Sequence, residues 1–237
     1  MFDFHGKFTD RMLLPEGAAG FHPISYVSRL YVPPAPSGWR LHVKRGIDAA
    51  LALVGLAVSL VLMLVIASAI CLDSPGPPLF RQRRIGLDGQ PFMMWKFRTM
   101  RHAPSPEEMR QATRDDPRIT RIGAWLRRTS LDELPQCLNV LRGEMSVVGP
   151  RPHAPGTRAG GRLFEDVVAH YTERHRVKPG MTGLAQVRGW RGETDTEQKL
   201  LGRLASDMEY IETWSLRLDL LIILRTVPLV ARMLNAY

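Results

Sequence analysis

The sequence predicts an α+β fold, predominantly helical, organised around a helix that enters a membrane. Three observations predict it. The run from Ala49 to Leu72 contains no charged residue. Two short apolar segments flank an Asp-Gly turn, and most other apolar residues recur at the three- and four-residue spacing of helices. A length of 237 residues suits one soluble domain plus a membrane element. The expected division is an N-terminal extension over 1–42, a membrane helix over 43–76, and a soluble domain over 77–237 that ends in a membrane-associated helix.

The apolar run of about 24 residues extends roughly 36 Å as a helix, enough for a bilayer core. More than forty mostly polar residues precede it and no small-residue cleavage pattern follows, which disfavours a secretory signal. Lys44 and Arg45 stand at its entrance, and Arg81, Arg83 and Arg84 lie just past its exit. Positive flanks mark the cytoplasmic side, so a helix that enters one leaflet, bends and returns satisfies both ends. Gly55 or Ser59 can loosen the backbone at a bend, and Asp48 can pair with Lys44 or Arg45 near the head groups. An ordinary spanning helix is the alternative.

Leu79–Ile85 and Phe92–Phe97 flank Leu87-Asp88-Gly89-Gln90, which predicts a hairpin. Ser105-Pro106-Glu107-Glu108 opens a short helix. Ile119, Ile122, Trp125 and Leu126 mark the face of another, leading into Arg127 and Arg128. Next come Ser130, placed to cap a helix start, and Glu133, placed to complete a capping box. The glycines and prolines between Gly143 and Pro152 predict a shaped loop. Phe164, Val167, Val168 and Tyr171 mark a helix. Leu200, Leu201, Leu204, Met208 and Ile211 mark another that Thr194 or Asp195 can cap. Between them, Lys178–Gly183 and Gly189–Thr194 are loops rich in glycine and cation, suited to phosphate or sugar contact. The tail from Leu216 to Leu234 suits an interfacial helix, or packing on the core.

A formal charge of +9 favours anionic partners: nucleic acid, acidic lipid head groups or phosphorylated substrates. Cys71 and Cys137 lack metal-ligand spacing, which argues against a disulfide framework or structural zinc and for a reducing compartment. His170 and His175 lack the i,i+4 spacing of a metal pair.

The pair Asp132-Glu133 carries the chemistry. Successive helical residues point about 100° apart, so two adjacent carboxylates cannot both address one electrophile. One can attack while its neighbour holds a metal ion. The plainer alternative is a pair of acids in a first helical turn, where each stabilises the helix by about 0.3–1 kcal/mol.

Four stretches decide between these. Lys96-Phe97-Arg98-Thr99-Met100, Asp116-Pro117-Arg118-Ile119-Thr120, Leu126 to Gln136, and Val148-Gly149-Pro150-Arg151-Pro152 together closely resemble the bacterial sugar transferases, the monotopic polyprenol-phosphate sugar-1-phosphate transferases. The resemblance runs from about Val43 to Tyr237, and residues 1–40 stand outside it. It implies transfer of a sugar 1-phosphate from a UDP-sugar to undecaprenyl phosphate, releasing UMP, as the first step of exopolysaccharide or another surface glycan. It also implies a covalent phosphosugar on Asp132, with Glu133 assisting as a Mg²⁺ ligand. Lys96, Arg98, Arg127 and Arg151 are assigned to substrate phosphates. The re-entrant helix agrees with the family, although the Ser-Pro break of some members is absent, since Ser59 is followed by Leu60. The implied location is the bacterial cytoplasmic (inner) membrane, in contact with its lipid, with the catalytic domain facing the cytoplasm.

The stretch from His175 to Thr196 looks like the subgroup that uses UDP-glucose, with UDP-galactose the alternative donor. Leu184 stands where a tryptophan is usual and Arg188 where an asparagine is usual. Three competing functions are weighed. A nucleic-acid binder would share the charge but leaves the apolar run unexplained, so no nucleic-acid partner is expected. A non-catalytic scaffold of a polysaccharide assembly complex would not need the acidic pair. A phosphatase passing its phosphosugar to water would not need polyprenyl phosphate. Homo-oligomerisation is left open.

Overall fold

One helix organises the protein. In the computed structural model, which describes residues 38–101, 116–168, 170–192 and 194–231, helix α1 spans Trp39–Asp73. Its 35 residues would measure about 52 Å, and it is continuous through Gly55 and Ser59. Among the described residues it is the one helix long and apolar enough to cross a membrane. The helix expected to open at Ser105 lies outside the described residues.

The side chains of α1 divide into two rows. Asp48, Ala52, Ile66 and Ile70 are buried, and Leu56, Met63 and Ala67 pack beside them; these positions recur every three or four residues, as one helical face requires. Val54, Val58, Val61, Leu64 and Val65 stand 60 % or more exposed on the other side. The buried row touches the rest of the protein at both ends and in the middle. At the first end Lys44 Nζ donates to Asp219 at 2.7 Å and to the Val148 carbonyl at 3.2 Å. Asp48 accepts from the Ser146 hydroxyl at 2.8 Å and the Val147 amide at 3.0 Å. Midway, Ala52 shares a core with Met94, Cys137, Val140 and Met145. Near the far end Ile66 and Ile70 pack on Phe97 and Leu126, each such burial stabilising by about 1.5–3 kcal/mol.

A hairpin follows. β1 (Leu79–Ile85) and β2 (Pro91–Phe97) pair without a bulge, from Leu79 opposite Phe97 to Ile85 opposite Pro91. The turn fits the Asp-Gly expectation, because Asp88 (φ 52°) and Gly89 (φ 72°) both take left-handed backbone. α2 (Arg121–Thr129) begins when the Thr120 hydroxyl accepts from the Gly123 amide at 3.0 Å. Ile119 falls before the helix and bridges Met100, and Trp125 is 43 % exposed, so the expected apolar face narrows to Ile122 and Leu126.

α3 (Gln136–Arg142) is capped in space by α1. The Arg45 guanidinium donates to the Val140 carbonyl, and to that of Leu141 at 2.7 Å, meeting the orphan acceptors and the negative end of the α3 dipole. The stretch expected as a shaped loop contains a short strand, β3 (Ser146–Val148), which pairs in parallel with β6 (Gly180–Thr182). Gly149 and Gly180 permit this pairing, since a Cβ on Gly180 would overlap the Gly149 backbone. Between these strands lie β4 (Arg158–Ala159) and β5 (Arg162–Leu163), a minimal hairpin, and α4 (Phe164–Val167), which is four residues long. The helix expected through Tyr171 ends at Val167, with Val168 extended (φ −131°), and after His170, in left-handed backbone (φ 67°), a 3₁₀ turn covers Tyr171–Arg176.

α5 (Leu184–Val187), α6 (Glu197–Thr213) and α7 (Leu216–Ala231) complete the chain. Thr196 caps α6 by accepting from the Lys199 amide at 3.3 Å, where Thr194 or Asp195 had been expected; Thr194 is instead buried. The main core joins α6, α7 and the segment before them through Leu200, Leu204, Met208, Leu218 and Ile222. α7 packs on this core with one side while Leu220, Leu224 and Val227 remain more than half exposed.

Candidate active site

The two acids sit on a turn tighter than the sequence suggests. Ser130 ends α2 in left-handed backbone (φ 58°), and Leu131–Glu133 form one 3₁₀ turn before α3. No capping box forms, because the Ser130 side chain caps nothing and its hydroxyl instead accepts from the Arg191 guanidinium. The left-handed residue breaks the path from α2, so Asp132 and Glu133 project from a corner between two helices.

Asn139 brings the hairpin to that corner. Its side chain is fully buried; Oδ1 accepts from the Trp95 amide at 2.9 Å, and Nδ2 donates to the Met93 carbonyl at 2.8 Å. An amide side chain on α3 thereby takes the place of a neighbouring strand for β2. The contact carries Lys96 to the acids: Nζ lies 3.1 Å from Glu133 Oε1 and 4.0 Å from Asp132 Oδ2. From the loop after β3, Arg151 donates both terminal nitrogens to Glu133, the forked geometry suited to a carboxylate. Arg127, on α2, donates Nε to the Thr99 hydroxyl at 2.9 Å, and its charge acts on Asp132.

Arg98, expected at the substrate phosphates, lies apart from the acids in this structure. Its guanidinium is buried under the end of α1, donating to the Ser74 carbonyl at 2.6 Å and the Pro75 carbonyl at 2.8 Å. The reason is the helix terminus, whose orphan carbonyls need donors. Arg98 holds the membrane helix, while the structure gathers Lys96, Arg127 and Arg151 around the acids. Asn139 and Arg191 were missed. Nothing local to Asn139 marks it, whereas Arg191 belongs to the glycine- and cation-rich loop already noted.

Electrostatics separate the two carboxylates. Burial pushes Asp132 up to about 6, with the charge of Glu133 adding to the rise while Lys96 and Arg151 oppose it. Burial pushes Glu133 upward as well, but Arg151 and Lys96 outweigh it and hold Glu133 below the ordinary carboxylate range. Burial also lowers Lys96, against the pull of Glu133 and Asp132. At neutral pH the site therefore holds a fixed anion, Glu133, beside an ionised carboxylate whose charge is poorly solvated.

Among the described residues no group of three or more His, Cys, Asp and Glu is placed to hold a metal. Mg²⁺ takes one or two protein carboxylates and completes its shell with water and substrate phosphates; Glu133 already accepts from Lys96 and Arg151, so it would serve as a ligand only by sharing its oxygens with them. The two departures from the expected donor pattern have other employment. Leu184 is packed in the main core, and Arg188 forms a bidentate pair with Glu209 at 2.7 Å.

Comparison with known proteins identifies the family. The profile of the family described as bacterial sugar transferase matches residues 39–233. The chain is 48 % identical over 198 residues to the UDP-glucose:undecaprenyl-phosphate glucose-1-phosphate transferase of Escherichia coli (strain K12), covering 84 % of this chain and 42 % of that one. It is 50 % identical to a Caulobacter vibrioides protein of the same name, covering 82 % and 72 %. To the exopolysaccharide production protein PSS of Rhizobium leguminosarum bv. phaseoli it is 51 % identical, covering 79 % and 94 %. The chain thus spans about two-fifths of the length of its Escherichia coli relative.

Proposed function

From the premise that the chain belongs to the bacterial sugar transferase family, we propose that it transfers a hexose 1-phosphate from a UDP-sugar to undecaprenyl phosphate. Glucose is the favoured hexose, on the names of the relatives above. The observation that carries this reading is Asp132, buried, raised to about 6 and set 4.0 Å from Lys96, beside a glutamate clamped by two cations.

In the first half-reaction an Asp132 oxygen bonds to the phosphorus that bears the sugar, in line with the oxygen bridging to the nucleotide. That phosphorus–oxygen bond breaks, the bridging oxygen keeps the electron pair, and UMP leaves without needing a proton. In the second, an oxygen of undecaprenyl phosphate bonds to the same phosphorus and the bond to Asp132 breaks, restoring the carboxylate and yielding the lipid-linked diphosphate sugar. Charge spreads over the equatorial oxygens in both transition states, so fixed cations contribute most. Lys96 lies 4.0 Å from Asp132, and the charges of Arg151 and Arg127 also act on it. Mg²⁺, held by Glu133, would neutralise the diphosphate and the leaving group.

The placement of α1 supports monotopic attachment: both of its ends hold the same body through Lys44, Asp48 and Arg98, while its outer row is apolar. A re-entrant path, for which α1 would have to bend in the membrane where it is unbroken here, would put the nucleophile at the cytoplasmic surface, where the lipid phosphate lies. The exposed apolar side of α7 supports a second contact with that surface. The product suits the opening step of exopolysaccharide or another surface glycan. Purified protein given Mg²⁺, undecaprenyl phosphate and a panel of UDP-sugars is expected to release UMP with UDP-glucose, and Asp132→Asn is expected to abolish it. Near-native turnover by Asp132→Asn would exclude the covalent route. Repeated turnover without the lipid, beyond one UMP per protein, would indicate a phosphatase.

A further inference from the structure

Glu133 is held by Arg151, and Ser130, two residues before Asp132, accepts from Arg191; both arginines trace back to side chains on α6. Arg174 and Asp207 are about 2 % and 1 % exposed. Arg174 Nε and Nη2 donate to Asp207 Oδ2 at 3.0 and 2.6 Å. The rest of the guanidinium is also employed: Nη1 donates to the Tyr171 hydroxyl at 3.1 Å and faces His153 Nδ1 at 3.3 Å, and Nη2 donates to the Arg151 carbonyl at 2.8 Å. His153 stacks on His175 with ring centres 5.2 Å apart. The buried pair therefore grips the backbone of Arg151, whose side chain grips Glu133.

A second arm leaves the same helix. Arg203 lies one turn before Asp207 and feels its charge, while Arg151 and Arg174 repel it. Its Nη2 donates to the carbonyls of Trp190 and Gly192, each at 3.0 Å. Those carbonyls flank Arg191, which donates to Ser130 two residues before Asp132. The Trp190 ring lies so close over Gly202 that a Cβ there would overlap it. Among the described residues Asp207 is the one carboxylate acting on both Arg174 and Arg203.

We infer that Asp207 is a positioning residue for the transfer reaction, holding Arg151 through Arg174 without touching substrate, and that Arg203, one turn earlier on α6, holds the Arg191 loop. The inference rests on the function proposed above. A displacement of about 1 Å in groups that hold a reacting phosphoryl can cost on the order of 100-fold in rate, so the cost falls on turnover. A merely structural pair behaves differently, since replacing both members of a buried ion pair by apolar residues is often neutral or stabilising.

The test is the double variant Arg174→Met with Asp207→Leu, alongside Arg203→Gln, which cuts the second arm at a half-buried position. Full-length protein in detergent is assayed for UMP release and for thermal unfolding. The expected result for the double variant is a preserved melting transition, kcat lower by about 30-fold or more, and KM for UDP-glucose within about threefold of wild type. Arg203→Gln is expected to lose about tenfold in kcat with the same split. A kcat within threefold of wild type in either folded variant overturns the inference. Wild-type protein that releases no UMP from any UDP-sugar sinks the functional reading instead.

Discussion

Lys96→Met isolates the electrostatics of Asp132, the proposed nucleophile. The ammonium lies 4.0 Å from Asp132 and 3.1 Å from Glu133, and it is the strongest charge opposing the rise that burial imposes on Asp132. Two unit charges at 4 Å interact by about 4 kcal/mol at an effective dielectric of 20. Arg151 and Arg127 remain to take up part of the load, so about 1.4–2 kcal/mol is expected to survive as a change in Asp132, equivalent to a midpoint higher by about one pH unit or slightly more. Wild-type Asp132, at about 6, is roughly nine-tenths ionised at pH 7, whereas in the variant the ionised share drops to roughly a quarter to a half. The assay is kcat/KM for UMP release from pH 5 to 9. The acid limb should bend near pH 6 in wild type and near pH 7 or above in Lys96→Met. A further loss at every pH, on the order of 10²-fold, should mark the missing phosphate contact. An acid limb that stays within about 0.3 of its wild-type position would refute the claim that Lys96 keeps Asp132 charged.

Asp132→Asn should stabilise the protein while inactivating it. Folded-state Asp132 lies near 6 against an ordinary 3.8, so the folded chain binds a proton more tightly; wild-type stability is lost as pH rises from about 4 through 6. The variant should therefore gain about 1–3 kcal/mol at pH 8 and nothing near pH 4, read by thermal unfolding; equal stability at both pH values would contradict the burial argument. Arg98→Met should cost about 2–4 kcal/mol of stability by orphaning the carbonyls at the end of α1, while folded protein keeps kcat/KM for UMP release within a few-fold. A folded variant with a hundredfold activity loss would return Arg98 to the phosphate site. For topology, the exposed Cys71 and a cysteine placed at Trp39, 69 % exposed, should both react with a membrane-impermeant maleimide from the cytoplasmic side, and labelling from opposite sides would exclude a re-entrant helix.

Much of the framework is local and was therefore legible. The charge-free run, the Asp-Gly hairpin and the apolar spacing of α6 each depend on residues within a few positions of one another, where period and turn chemistry act. Local rules misjudged Ser130, because a capping box presumes a helix that continues. Here the backbone turns left-handed and hands the hydroxyl to Arg191, 61 residues away.

By itself the sequence determined that an aspartate and a glutamate stand together among arginines, in a chain with a membrane-seeking helix and the motifs of sugar transferases. Only the tertiary structure decided which cation serves which anion. Lys96 and Arg151 clamp Glu133, Arg98 is withdrawn to the end of α1, and Asp207 sits beneath Arg174. The physical reason is that burial and pairing, not residue identity, set the charge state of a carboxylate. Both arise from contacts between segments 18 to 37 residues apart, which exist only once the chain has closed around α1.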